Sequence, residues 1–129
     1  MKTLIVLAHP EPRSLNVALK DKAVETLLEL GHQVQVSDLY AMNWKAELGI
    51  GDFTDDRADP ADLGLSREQE HAFANNAQTD DVKAEQSRVV WDDWVIFQFP
   101  LWWVSMPAIL KGWVDRVLSP GVAYSSGCK

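Results

Sequence analysis

The stretch TLIVLAHPEPRSLN, residues 3–16, decides the architecture of this chain. Its first six residues are β-branched or aliphatic, without polar alternation. That is the pattern of a strand covered on both faces, as in a parallel sheet. The run is too short for a secretory h-region and lacks a small-residue cleavage site, so a buried strand is the better reading. Ser14 then opens a helix. Leu15, Ala18, Leu19, Lys22, Ala23, Thr26, Leu27 and Leu30 recur at helical spacing, with the Lys22 stem and Thr26 at the stripe's edge. Gly31 is a natural stop. QVQVS, residues 33–37, alternates as the next strand. Strand, helix and strand at this spacing make a βαβ unit, whose crossover is right-handed in nearly all proteins.

Farther along, residues 38–78 are irregular, and about 41–78 read as an acidic insertion. Within it, Ser66-Arg67-Glu68-Gln69 resembles a capping box for a short helix towards Asn75. Thr79 or Asp80 caps another helix that runs to about Trp91. WVIFQF, residues 94–99, is a third apolar strand, ended by Pro100. Ser105-Met106-Pro107 opens a last helix, with proline in its first turn. Ile109, Leu110, Trp113, Val114, Val117 and Leu118 form the apolar face, and Ser119-Pro120-Gly121 ends it. The fold class is therefore α/β with a parallel sheet. The 129 residues make one domain's worth of chain.

Composition narrows the functional classes. The apolar fraction is 47% and the charged fraction 24%, as in ordinary globular domains. No run of about 18 apolar residues is present to span a membrane. The net charge of −7 argues against nucleic acid as a partner. Cys128 is the single cysteine, which fits a reducing, cytoplasmic setting. Residues 47–93 hold 13 of the 19 acidic side chains, so an anionic ligand is expected outside that region.

Two loops leave the carboxyl ends of strands, where open parallel sheets bind ligands. The first, residues 9–16, meets the N-terminus of a helix, whose free N–H groups and partial positive charge favour phosphate. Ser14 and Asn16 add side-chain donors. Ser14 reads equally well as a plain helix cap. The second, residues 100–105, carries Trp102 and Trp103. An apolar wall with exposed backbone amides suits a flat heteroaromatic ligand. Taken alone, the two tryptophans read more readily as packing residues.

Five blocks change that balance: LIVLAHPEPRSLN (4–16), SDLYAMNW (37–44), VIFQFPLWW (95–103), MPAILKGWVDRVL (106–118) and GVAY (121–124). Together they resemble, in order and spacing, the NAD(P)H:quinone oxidoreductase family of FAD flavoproteins. This is the DT-diaphorase-like branch of the flavodoxin-like fold. The resemblance implies a doubly wound parallel sheet with FAD as cofactor, FMN fitting less well. It implies that His9, Ser14, Leu15 and Asn16 cradle the FAD diphosphate. By the same resemblance, Pro100, Leu101, Trp102, Trp103 and Val104 line the flavin ring. Tyr124 edges a pocket used in turn by nicotinamide and quinone. The implied reaction is hydride transfer from NAD(P)H to flavin and then to a quinone, with ping-pong kinetics in a homodimer.

Members of that family continue past the position of Tyr124, through two more strands, a glycine-containing loop over the flavin, and the Tyr and His residues that assist hydride transfer. The chain therefore reads as an N-terminal portion, with a sheet truncated to order 2-1-3 and the third strand as an apolar edge. Such a product is expected to be unstable or to complete its sheet with another chain. The rivals to a reductase are a non-catalytic flavin-binding or regulatory subunit of the potassium-efflux ancillary type, an inactive truncated form, and a flavodoxin-type FMN carrier.

Smaller signals read plainly. His9, His32 and His71 lack metal spacing, and His32 reads as solvated. Asp52, Asp55, Asp56 and Asp59 read as a solvated acidic loop, since they lack the calcium-loop pattern. Cys128 has no activating neighbour. Lys111 and Asp115 form a surface i, i+4 pair.

Overall fold

The computed structural model describes residues 1–53 and 57–124. Three strands, β1 (Lys2–Leu7), β2 (Gln33–Asp38) and β3 (Trp94–Gln98), form a parallel sheet in the order β2-β1-β3. Lys2 of β1 is in register with Gln33, and Thr3 with both Val34 and Trp94. The central strand has no exposed face: Leu4, Ile5, Val6 and Leu7 are all wholly buried. Leu4, Val6 and Ala8 join one core with Leu39, Trp44 and Val82 and, from the last helix, Leu110, Trp113 and Val117. Strand alternation sends Thr3, Ile5 and Leu7 to the opposite face. Helix α1 (Leu15–Glu29) covers that face, touching all three strands.

Ser14 caps α1 as expected, its Oγ accepting the Val17 N–H at 3.2 Å. The inward face of α1 differs from the expected one. Asn16, Val17, Lys20, Ala23, Val24 and Leu27 are half-buried, while Leu15, Leu19 and Leu30 are exposed. Apolar residues lie around most of this helix, so its pattern sets no rotational phase. Docking on the β1–β2 surface sets it instead.

Helix α2 (Leu65–Ala74) begins at Gly64 and not through a Ser66 capping box. Glu68 is otherwise engaged. Its buried carboxylate accepts the backbone N–H groups of Ala58 and Asp59 at 2.9 and 3.0 Å and pairs with Arg57 at 3.2 Å. Burial works to raise its pKa, but those two N–H groups and the Arg57 guanidinium outweigh it and hold the carboxyl below its ordinary value.

Helix α3 (Asp80–Trp91) follows Thr79, whose hydroxyl donates to Asp81 Oδ1 rather than capping the backbone. Helix α4 (Ala108–Val117) starts two residues later than expected. Pro107 is its cap residue, with extended ψ, and Ser105 belongs to the preceding turn. Its apolar face is the expected one. The Lys111–Asp115 pair forms at 2.6 Å.

Two buried polar clusters tie the layers together. Glu85 Oε2 accepts from Ser37 Oγ at 2.6 Å and from the indole of Trp113 at 2.9 Å, and Arg88 pairs with Glu85 Oε1 at 3.2 Å. Arg116 is the second hub. It donates to Asp52 Oδ1 at 2.6 Å and to the Lys45 carbonyl at 2.9 Å, pairs with Asp81 at 2.9 Å, and lies 4.6 Å from the Trp44 ring centroid. Asp52 is thus a buried anion rather than part of a solvated loop. Asp55, Asp56 and Cys128 lie outside the described residues. His32 is half-buried, not solvated, and its Nδ1 is 3.0 Å from the Met1 amino group. Gly112 is required where α4 crosses the chain after β2, because a Cβ there would come within 2.1 Å of the Ala46 carbonyl oxygen.

Candidate functional site

The connection β1–α1–β2 steps one way across the sheet, and the path to β3 steps the other way. The reversal falls between β1 and β3, and ligands of such sheets bind at the carboxyl ends beside it. Both expected loops meet there. The Ala8 N–H donates to the Gln98 carbonyl at 3.0 Å, so the chain leaves β1 and β3 side by side. His9 and Trp102 then approach edge to face, with ring centroids 6.3 Å apart.

The first loop is built to present donors. Val17 N–H is taken by Ser14 Oγ and Ala18 N–H by the Ser14 carbonyl. The N–H groups of Leu15 and Asn16 precede the first intrahelical acceptor, so the helix supplies them with no partner. His9 Nδ1 accepts the Glu11 N–H at 3.0 Å, which in the neutral ring leaves the proton on Nε2 as a further donor. Asn16 Oδ1 is occupied by Gln98 Nε2 at 2.8 Å, so its amide N–H groups are left for a ligand. Glu11 binds the Arg13 backbone N–H at 2.9 Å and its guanidinium at 3.2 Å. Those Arg13 contacts hold its carboxyl below the usual range, the backbone bond first. With the Glu11 carboxylate turned to Arg13, the unengaged groups of Leu15, Asn16 and His9 are donors, a set that fits a diphosphate, while Asp38 lines the adjoining depression.

The second loop is a tight turn. Trp102 N–H donates to the Ser105 carbonyl at 2.9 Å, and Ser105 N–H returns to Trp102 at 3.1 Å. The central residues Trp103 and Val104 both have positive φ, 52° and 62°. That is the type I′ geometry that asparagine and glycine normally supply. Trp103 is wholly exposed, Val104 is 92% exposed and Leu101 is 73% exposed. Neither tryptophan is a core residue, and the packing reading of this pair does not hold within the chain. The turn offers an apolar wall with backbone amides at its rim.

Open depressions flank the His9–Trp102 contact. One, of about 330 Å³, is lined by His9, Pro10, Pro12, Val17, Asp38 and Tyr40. Another, of about 570 Å³, runs along Trp102, Trp103, Met106, Pro107 and Lys111. The residues present thus fit a phosphate-bearing planar cofactor, with donors on one loop and a flat apolar surface on the other. Among the described residues no His, Cys, Asp and Glu group could hold a metal ion. Among the described residues no helix is long and apolar enough to cross a membrane.

Tyr124 is not brought to this place. It lies beyond the far end of α4, in a turn where its carbonyl accepts the Gly121 N–H at 2.7 Å. Ten residues of α4 separate it from the tryptophan turn, a helix length of about 15 Å. Sequence reading also missed three contributors. Gln98 anchors Asn16, and Asp38 and Tyr40 wall the depression at His9. Their signal was position: Gln98 ends β3, Asp38 ends β2, and Tyr40 follows two residues later.

Comparison with known proteins places the chain among others of the same fold. Over 127 residues the chain is 54% identical to the ribosyldihydronicotinamide dehydrogenase-like protein traD of Penicillium crustosum, covering 98% of this chain and 47% of that protein. Over 123 residues it is 48% identical to the mouse (Mus musculus) ribosyldihydronicotinamide dehydrogenase (quinone), covering 95% of this chain and 53% of that protein. A solved structure from Klebsiella pneumoniae, provisionally described as a quinone reductase, superposes with a TM-score of 0.88 at 52% identity. It is matched over 92% of this chain and 46% of its own. The chain spans about half the length of these relatives. The sequence profile of the flavodoxin-like fold matches residues 1–128. With the parallel sheet order, the switch-point loops and this match in agreement, the chain belongs to the flavodoxin-like fold family.

Proposed function

We propose that this chain is the flavin-binding part of an NAD(P)H:quinone oxidoreductase that holds FAD and carries out two-electron reduction of quinones. The observation that carries the proposal is the pairing of the two loops: a donor-only cradle at His9, Ser14, Leu15 and Asn16 faces the Pro100–Val104 wall across the ends of β1 and β3. Similarity to quinone-reducing dehydrogenases supports the same reading.

A bound flavin supplies hydride acceptance from the nicotinamide and donation to the quinone. The chain's own residues bind and orient. The backbone N–H groups of Leu15 and Asn16, the Asn16 amide and His9 Nε2 would hold the diphosphate by hydrogen bonds. Four donors are needed because a single exposed helix terminus contributes only about 0.3–1 kcal/mol. In the Trp102–Ser105 turn the N–H groups of Trp103 and Val104, which the turn's own two hydrogen bonds do not use, would serve one edge of the ring, and the exposed side chains would cover one side of it. One pocket serving donor and acceptor in turn requires ping-pong kinetics. The same reading includes a homodimer, in which Tyr124 would edge the pocket of the second copy.

The test has two stages. Purified chain titrated with FAD should acquire bound-flavin absorbance, and failure to take up FAD overturns the reading. With FAD bound, NADH, NADPH and ribosyldihydronicotinamide are each offered with menadione. Oxidation of any donor with parallel initial-rate lines is the expected result. Flavin bound without turnover of any donor would instead support a non-catalytic flavin-binding subunit.

A further inference from the structure

Asn16 is half-buried on the first turn of α1, and Gln98 is half-buried at the last position of β3. Their side chains meet although 82 residues separate them, with Gln98 Nε2 donating to Asn16 Oδ1 at 2.8 Å. Gln98 is itself held by the sheet. Its Cα is in register with Leu7, and its carbonyl accepts the Ala8 N–H at 3.0 Å. A rigid strand end therefore grips the one acceptor atom on the Asn16 side chain.

An asparagine amide presents a carbonyl on one side and two N–H groups on the other. Free to rotate, it could offer either to an anion, and the carbonyl would repel it. With Oδ1 engaged, only the N–H groups remain. We infer that Gln98 is a positioning residue, fixing the Asn16 amide as a donor to the flavin diphosphate. This rests on the flavin reading above and adds to it a residue that touches no cofactor. Gln98 keeps the cradle uniformly donating by acting through Asn16.

The test is a double-mutant cycle read by FAD affinity, with FAD fluorescence titrated against the full chain and melting of the flavin-free proteins as the folding control. Gln98→Met removes the hydrogen bond at similar volume and should weaken FAD binding about three- to ten-fold, the worth of one net hydrogen bond. Gln98→Glu should weaken it more at pH 7.5. A carboxylate only accepts, so Asn16 must turn its N–H groups inward and its oxygen towards the phosphates. In an Asn16→Ala background Gln98→Met should have no further effect, and Gln98→Glu should retain only its charge effect. Wild-type affinity in both single variants overturns the inference and leaves the flavin reading intact. So does an equal loss with and without the Asn16 amide. If the wild-type chain binds no FAD, the flavin reading itself fails, and this inference with it.

Discussion

Arg116 on α4 donates through Nε to Asp52 across 2.6 Å, and the two side chains are only 1% and 5% exposed. The pair closes the acidic middle region onto the core, and the Trp44 ring and the Lys45 carbonyl complete the guanidinium's surroundings. Removing one partner of a buried pair strands the other charge, at a cost of about 3–5 kcal/mol. Arg116→Ala leaves both Asp52 and Asp81 without the guanidinium, and Lys45 Nζ, 3.3 Å from Asp52, offsets only part of that, so the loss should fall within this range. Urea unfolding followed by tryptophan fluorescence measures it. A loss below 1 kcal/mol would contradict the role of this pair.

Gly112→Ala tests the crossing of α4 over the chain near Ala46. The added methyl would lie 2.1 Å from a backbone oxygen that no rotamer change can move. Overpacking of this kind costs about 1–3 kcal/mol, although alanine is the better helix former by about 1 kcal/mol. The net effect should be destabilising, seen as a lower melting temperature.

Val104→Gly should stabilise the chain. Val104 adopts φ 62° while 92% exposed, so its side chain gains little burial in return for a left-handed backbone. Relief of that conformation is worth about 1–2 kcal/mol, reduced by the extra freedom glycine has when unfolded. A higher melting temperature is expected. A fall would mean that the valine side chain stabilises the turn.

Asp81 and Asp92 should respond oppositely to acid. For Asp81, burial raises the pKa, but its bonds to Arg116 and Thr79 prevail and lower it overall. A lowered folded-state pKa gives stability that is present above the unfolded value, about 3.9, and lost as pH falls through the folded one. Asp81→Asn should therefore destabilise the chain at pH 7, with a difference that narrows on acidification.

Asp92 follows the last turn of α3, and burial followed by the neighbouring Asp93 charge pushes its pKa up. Its buried Oδ2 has no hydrogen-bond partner. The folded state thus prefers the protonated carboxyl, and ionised Asp92 costs stability at neutral pH. Asp92→Asn should gain about 0.3–1 kcal/mol at pH 7, as expected for removing an anion from a helix C-terminus. The gain should shrink as pH falls through the raised folded value. Melting curves of both variants at pH 7 and again well below the unfolded carboxylate value of about 3.9 check the two signs together.

Some of these features were legible in sequence and others were not, for reasons visible at single residues. Residues 3–8 announced a strand buried on both faces, because only that environment suits an unbroken apolar run. Ser14 announced the start of α1, because its capping bond is local. The inward face of α1 was misjudged because a helix with leucines on several sides carries no phase of its own. Glu68 looked like half of a capping box, but its partners Ala58 and Asp59 come from outside the helix. Arg116 carried no local signal of its buried role, because its partner Asp52 lies 64 residues away.

By itself, then, the sequence determined the alternation of strands and helices, the parallel character of the sheet and the positions of the two loops at strand ends. All of these follow from hydrophobic runs, periodicity and local caps within a few residues. Only the tertiary structure decided which atoms face a ligand. It set Gln98 against Asn16, turned Trp103 and Val104 outward in a left-handed turn, and kept Tyr124 at the far end of α4. The first depends on residues 82 positions apart, which no local pattern encodes, and the turn puts two bulky side chains in a backbone conformation that their own preferences oppose.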